Sequence, residues 1–153
     1  MLKINSKEML MSELIQKSIN MINDFVAEKG INVKDVYFPD KLLWRLKRGT
    51  ASIDIMLLSV PVSENQIREF LQVASPIIKV PKGRELEFYK TLLELNDVKL
   101  GVKLSLQKDT DQVWALYERD LIGMSYTELI TCLEDLGYWA DEFDDILQKQ
   151  FGE

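Results

Sequence analysis

The chain has 153 residues, 25 acidic against 19 basic side chains, a net charge of −6 and no histidine. That length is one ordinary domain, which buries about two-thirds of its unfolded surface and needs no disulfide or metal to fold. Apolar residues make up 46% and charged residues 29%, the balance of a globular protein rather than a disordered one. The acidic excess argues against a nucleic-acid binder, whose phosphate contacts need a basic face.

Cys132 is the one cysteine, so no disulfide can form within the chain. No N-terminal apolar run has signal-peptide length, and no stretch approaches the ~20 apolar residues of a membrane span. A cytoplasmic protein that does not enter the membrane is the expectation. No repeat, low-complexity stretch or linker divides the chain, so 1–153 reads as a single domain.

The first element is a helix over about Ser6 to Lys29. Met11, Ile15, Ile22 and Phe25, with Leu14, Ile19 and Val26 beside them, form one amphipathic stripe. Ser6 suits the start, and Gly30 suits a left-handed end. A strand follows, with Leu42, Trp44 and Leu46 alternating against Leu43, Arg45 and Lys47. Arg48-Gly49 marks a turn, after which Ala51, Ile53, Ile55 and Leu57 alternate in the second arm of a hairpin. Lys41, Arg45, Lys47 and Arg48 are the densest basic group, read as the exposed side of a strand.

The next segment fits two patterns. Ser63 with Gln66 resembles a capping box, with Ile67, Phe70, Leu71 and Ala74 on one helical face. The run Phe70 to Ile78 also reads as extended, and Pro76 favours a strand end or sheet edge. We assign a strand from about Ile67 to Ser75. A second helix spans about Gly83 to Leu95, with Asn96 at a left-handed exit. Its wheel carries two adjacent stripes. Leu86, Tyr89 and Leu93 are wide enough to seat the helix on its sheet. Phe88, Leu92 and Leu95 lie to one side and are the candidate surface for a dimer or partner, the alternative being that the first helix or a loop covers them within one chain.

A second hairpin has Val102, Leu104 and Leu106 in one arm and Val113, Ala115 and Tyr117 in the other, joined by Lys108-Asp109-Thr110-Asp111. The last helix opens on a capping box, Ser125 with Glu128. Leu129, Leu133, Leu136, Ala140, Phe143 and Leu147 form its stripe, widened by Cys132, Trp139 and Ile146, and Gly152 follows its end. The order helix, three strands, helix, two strands, helix predicts an α+β fold. Its sheet is mainly antiparallel, with helices mainly on one face.

The residues for common chemistries are missing. Without histidine the commonest general base and metal ligand is absent, and one cysteine cannot build a Cys-rich metal site. Cys132 reads as a core residue. Lys82-Gly83-Arg84 has one glycine at a helix start, which could bind an anion weakly, but ordinary helix entry is the preferred reading. Asp109 and Asp111 lack the rest of a calcium loop and read as turn residues. Asp141, Glu142, Asp144 and Asp145 read as a solvated face or, equally, as a contact surface for a basic partner. Trp44, Trp114 and Trp139 read as core aromatics. We expect no enzyme activity, no cofactor and no metal.

One ordered series of segments resembles the YbjN-like family of bacterial proteins. It comprises Phe70-Leu71-Gln72-Val73-Ala74-Ser75-Pro76-Ile77, Leu92-Leu93-Glu94-Leu95-Asn96, Gly101 and Met124-Ser125-Tyr126-Thr127-Glu128-Leu129. Ala140-Asp141-Glu142-Phe143-Asp144, Leu147 and Phe151-Gly152 complete it. The likeness runs from Trp44 to Gly152. It implies a fold like that of type III secretion chaperones, typically homodimers that bind other polypeptides, and it brings no catalytic residues. The expectation is therefore a non-enzymatic protein-interaction module, chaperone-like or regulatory, acting as a homodimer with a polypeptide partner. The alternative is a small-ligand sensor with an apolar pocket around the tryptophans.

With only scattered carboxylates as ligands, calorimetric titration with zinc, calcium or magnesium is expected to show weak surface binding alone. A stoichiometric micromolar site would overturn that reading.

Overall fold

The first helix, α1 (Glu13–Glu28), begins after Ser12, whose hydroxyl accepts a hydrogen bond from the Ile15 amide at 3.1 Å. The structure is a computed structural model that describes residues 11–49 and 51–152. Ser6, the expected cap, lies outside them, and the helix starts later than its apolar stripe suggests. Its end is as expected. Gly30 sits at φ +75°, its N–H bonds the Ala27 carbonyl at 2.9 Å, and the Ile31 N–H bonds the Val26 carbonyl at 3.2 Å. These paired bonds close a Schellman ending.

A one-turn helix α2 (Val33–Val36), a two-residue strand β1 (Tyr37–Phe38) and a 3-10 turn (Pro39–Lys41) follow. All three are too short to leave a periodic signal. Leu42 then takes a left-handed conformation at φ 47°, so the next strand, β2 (Leu43–Arg48), begins one residue later than the alternation predicts. The remaining elements are β3 (Ala51–Ser63), β4 (Gln66–Lys79), α3 (Glu85–Val98), β5 (Lys103–Leu106), β6 (Gln112–Asp120) and α4 (Tyr126–Phe151). Six strands form one sheet in the order β1-β2-β3-β4-β6-β5, and every neighbouring pair is antiparallel. The α+β order and the antiparallel sheet match the sequence reading.

The ambiguous segment is strand, and it runs on through Pro76 to Lys79. Pairing with β3 stops at Ala74. The Ser75 hydroxyl then donates to the Ser52 carbonyl at 2.8 Å, and Pro76 opposes only Trp114 of β6, where the ladder shifts register before Lys79. The proline thus occupies a stretch with one partner strand, the edge-like setting that tolerates a missing N–H.

Along β2, β3, β4 and β6 the side chains of Trp44, Leu46, Ile55, Leu57, Val73 and Ala115 are buried in one core with those of α1 and α4. The period of two picked out the buried set at Trp44 and Leu46, at Ile55 and Leu57 and at Ala115, whereas Leu106, grouped with the buried Leu104, is exposed. On α4 the capping box has both halves: the Ser125 hydroxyl accepts from the Glu128 amide, and the Glu128 carboxylate accepts from the Ser125 amide. Every residue of the expected stripe is buried. Gly137 of α4 lies against the side chain of Arg48. A Cβ there would collide with the guanidinium of Arg48, which reaches across from the β2–β3 hairpin and pairs with Asp141 at 3.1 Å. Gly152 ends α4 in extended rather than left-handed backbone. Among the described residues no helix is long and apolar enough to cross a membrane.

The seating of α3 reverses the expectation. Leu86 and Leu93, expected on the sheet, are 85% and 69% exposed, whereas Phe88 and Leu92, expected at the surface, are 0% and 7% exposed. Leu95 is half-buried against the core. The reason is where the helix docks. It packs along β5 and the end of α4, with the Phe88 ring edge-on to Phe151 at 5.0 Å. Asn96 is not a helix exit but lies inside α3. Its Nδ2 donates to the Leu104 carbonyl at 3.1 Å, and its Oδ1 accepts from the Leu104 N–H at 2.7 Å. The amide thereby takes the place of a missing strand beside edge strand β5. Phe88, Leu92 and Asn96 lie four apart, on one row of the helix, so fixing Asn96 turns that row inward.

Two expectations for stability follow. Leu136, fully buried at the centre of the α4 stripe, should not tolerate aspartate. The lost packing alone costs about 2–5 kcal/mol and the unpaired carboxylate adds to it, so Leu136→Asp should largely unfold the chain in a thermal melt. In denaturant titrations Phe88→Ala should cost about 3–5 kcal/mol, while Leu86→Ala stays within about 0.5 kcal/mol. The reverse ranking would show α3 seated on its other stripe.

Candidate functional site

The residues sequence analysis weighed for chemistry each have a structural partner or a separate place. Among the described residues no three metal-ligating side chains gather. Cys132 is buried, and that burial pushes its thiol pKa up, away from a reactive thiolate. Asp109 takes the left-handed position of the β5–β6 turn. At the start of α3 the Gly83 N–H donates to the carboxylate of Glu85 at 2.9 Å. The protein's own side chain fills the place an anion would take, and that bond holds the Glu85 pKa below its ordinary value. Asp141 is engaged by Arg48.

The three tryptophans do not form a pocket together. Trp44 is fully buried, stacked on Tyr37 with ring centroids 4.3 Å apart, and its Nε1 donates to Asn23 at 2.9 Å. Trp139 lies half-buried on α4 with the Lys99 ammonium 4.2 Å from its ring centroid. Trp114 points to the opposite side of the sheet from Trp44.

Three surfaces with apolar side chains stand out among the described residues. The first is the outer side of α3, where Leu86, Tyr89 and Leu93 face solvent at spacings of three and four, followed by the exposed Val98 and Leu100. Phe88 and Leu92, the candidate surface read from sequence, lie beneath it in the core of the same chain. Leu95 is at its margin.

The second is the outer face of the sheet. A shallow groove of about 470 Å³ there is lined by Met56, Ala74, Leu106, Trp114 and Leu116, among others. Ion pairs border it: Arg45 grips Asp54 through two bonds of 2.7 and 2.8 Å, and Lys103 lies 3.5 Å from Glu118. The Trp114 Nε1–H is buried without a hydrogen-bond partner among the described residues.

The third is a cleft of about 450 Å³ between the C-terminal turn of α1, the β2–β3 hairpin and α4. Phe25, Ile31, Leu46, Ile53 and Leu133 give it an apolar lining, and Lys29, Lys47, Arg48 and Glu134 ring it. Its two helical walls are tied together where the Tyr126 hydroxyl donates to the Glu28 carboxylate at 2.6 Å. That bond raises the phenol pKa to about 12, so the tie keeps its proton throughout the neutral range. Sequence reasoning recognised Lys47 and Arg48 as basic but missed the cleft. Lys29 belongs to a different element, and no local pattern links it to the hairpin.

No family model matches the sequence, and no curated protein matches it either. Solved structures do match in fold. A chain of the ExsC–ExsE complex superposes with a TM-score of 0.69 at 14% identity, covering 89% of this chain and 97% of that one. A chain of the HopA1–SchA chaperone–effector complex gives 0.62 at 14% identity over 86% and 94%. YbjN from E. coli gives 0.58 at 13% identity over 86% and 93%. The Yersinia pestis type III secretion chaperone SycH, in complex with a fragment of YscM2, also matches. Six antiparallel strands with helices before, within and after them give this chain the fold of YbjN and of type III secretion chaperones.

Proposed function

We propose that this protein is a non-enzymatic, polypeptide-binding module that works as a homodimer. The observation that carries the reading is the outer stripe of α3. Its core is complete with Phe88 and Leu92 inside, yet Leu86, Tyr89 and Leu93 continue the apolar surface into water. Contiguous apolar side chains of this kind on a surface helix mark an interaction site. A two-fold axis beside the helix pairs the stripe with itself, the commonest solution for homo-oligomers. A stable dimer needs about 800 Å² from each partner, so Val98 and Leu100, just past the stripe, join the contact.

Two further observations support a binding role. The ExsC–ExsE, HopA1–SchA and SycH–YscM2 structures are each complexes of two different proteins, and this chain shares their fold. A fold alone does not prescribe a function. The sequence itself, with no histidine and one cysteine, leaves the chain poorly equipped for acid–base or metal chemistry.

The dimer is tested by sedimentation velocity. Wild type should sediment as a dimer, and Leu86→Glu combined with Leu93→Glu should give a folded monomer with a cooperative melt, its melting temperature lowered only by the lost association, since both side chains lie outside the core of the single chain. A monomeric wild type, or a variant that remains dimeric, would overturn this interface. The binding role is tested by calorimetric titration with a permanently unfolded polypeptide, reduced and carboxymethylated lactalbumin. Saturable binding is expected, and its absence would overturn the role.

A further inference from the structure

We infer that the cleft between α1, the β2–β3 hairpin and α4 is the polypeptide-binding site, and that it takes an amphipathic helical segment whose polar side is acidic. The inference rests on the polypeptide-binding reading above and adds the place and the chemistry of the partner.

The lining supplies the apolar half of the argument. Leu46 and Leu133 are buried at its base, and Phe25, Ile31 and Ile53 are half-buried along its sides. Its volume of about 450 Å³ lies within the range of clefts that hold ligands, about 300–1,000 Å³. It is bounded by two helices and a hairpin, which suits the apolar stripe of a helix laid into a groove.

The rim supplies the charge. In a chain of net charge −6, three of the four charged groups around this cleft are cations. They are not equivalent. Arg48 is held by Asp141 and packs over Gly137, so its charge is largely spent within the fold. Lys29 and Lys47 are exposed, and neither has a carboxylate within ion-pairing distance among the described residues. Two unpaired ammonium groups beside apolar walls favour a partner with an apolar stripe and neighbouring carboxylates. Glu134, on the α4 wall, is the one acidic group of the rim. It sets an orientation: the acidic side of the segment faces Lys29 and Lys47, and a neutral or basic residue faces Glu134.

The alternative surfaces show less of this complementarity. The groove on the outer sheet face has one cation without an ion pair among the described residues, Lys108, where this cleft has two, and the Arg45 and Lys103 beside it are paired with Asp54 and Glu118. The outer stripe of α3 carries Lys90 paired with Glu94 and Arg84 paired with Glu87.

The test uses the full chain and two synthetic peptides with leucines at helical spacing, one with glutamates on its polar face and one with lysines. Fluorescence anisotropy should show the Glu-faced peptide binding more tightly than the Lys-faced one, with the preference shrinking as salt screens the exposed charges. Lys29→Glu with Lys47→Glu should weaken the Glu-faced peptide at least about tenfold, since each exposed attraction is removed and replaced by a repulsion. The same variant should strengthen the Lys-faced peptide. Should the double reversal lower the melting temperature, Lys29→Gln with Lys47→Gln carries the same test with a smaller loss. Equal binding of the two peptides, an affinity unchanged by both variants, or no binding of the Glu-faced peptide to wild type would each overturn the inference. If unfolded lactalbumin still binds in those cases, the polypeptide-binding role stands and the cleft is the wrong place. If it does not, both fall together.

Discussion

Tyr37, Trp44, Ile55, Val73 and Tyr117 stand opposite one another in succession across β1, β2, β3, β4 and β6. This rung of large side chains crosses nearly the whole sheet, and the rest of the molecule is arranged to keep water from it. Burying one such aliphatic side chain is worth about 1.5–3 kcal/mol, so an uncovered rung would leave the sheet without its main stabilisation. The long stripe of α4 and the shorter one of α1 supply the cover. Phe143, Leu136 and Leu129 from α4 and Ile22 and Val26 from α1 are fully buried in the same cluster as Trp44 and Ile55.

Covering the rung leaves α3 without a place on the sheet face, and its position is decided by the edge. Among the described residues β5 has a neighbouring strand on one side only, and a free edge carries unpaired backbone groups. Asn96 satisfies both the N–H and the carbonyl of Leu104 with a single side chain. An amide is suited to this because it has a donor and an acceptor in one plane. The cost falls on the opposite side of the helix, where Leu86, Tyr89 and Leu93 are turned toward water. The exposed apolar stripe on α3 is thus a by-product of closing the sheet edge.

The cleft depends on a different set of contacts. The Tyr126–Glu28 bond ties the end of α1 to the start of α4, and Arg48 fastens the β2–β3 hairpin to the middle of α4 at Gly137 and Asp141. Between these two fastenings the three elements stay apart enough to leave an apolar space. Arg48 also explains why glycine suits position 137: the guanidinium occupies the volume that any side chain would need.

The amino-acid order by itself determined the strands and the long helix. Alternation at Trp44 and Leu46, at Ile55 and Leu57 and at Val113 and Ala115 has a period of two, and a half-buried strand leaves no other choice of face. The α4 stripe and its Ser125–Glu128 box are equally local. So is Gly30, whose positive φ is readily adopted by glycine. The short elements between Ile31 and Leu42 escaped because one turn of helix or two residues of strand are shorter than the period that would reveal them. Continuation of β4 through Pro76 required knowing that β3 stops pairing at Ala74. The inward row of α3 was equally out of reach. A helical wheel gives the angle between two stripes but not what each one meets, and a bond between Asn96 and a strand eight residues away chose between them. The cleft joins Lys29 to Lys47 and both to Leu133 across three elements. Only the tertiary fold brings them together, because the forces that assemble it act between faces rather than between neighbours in the chain.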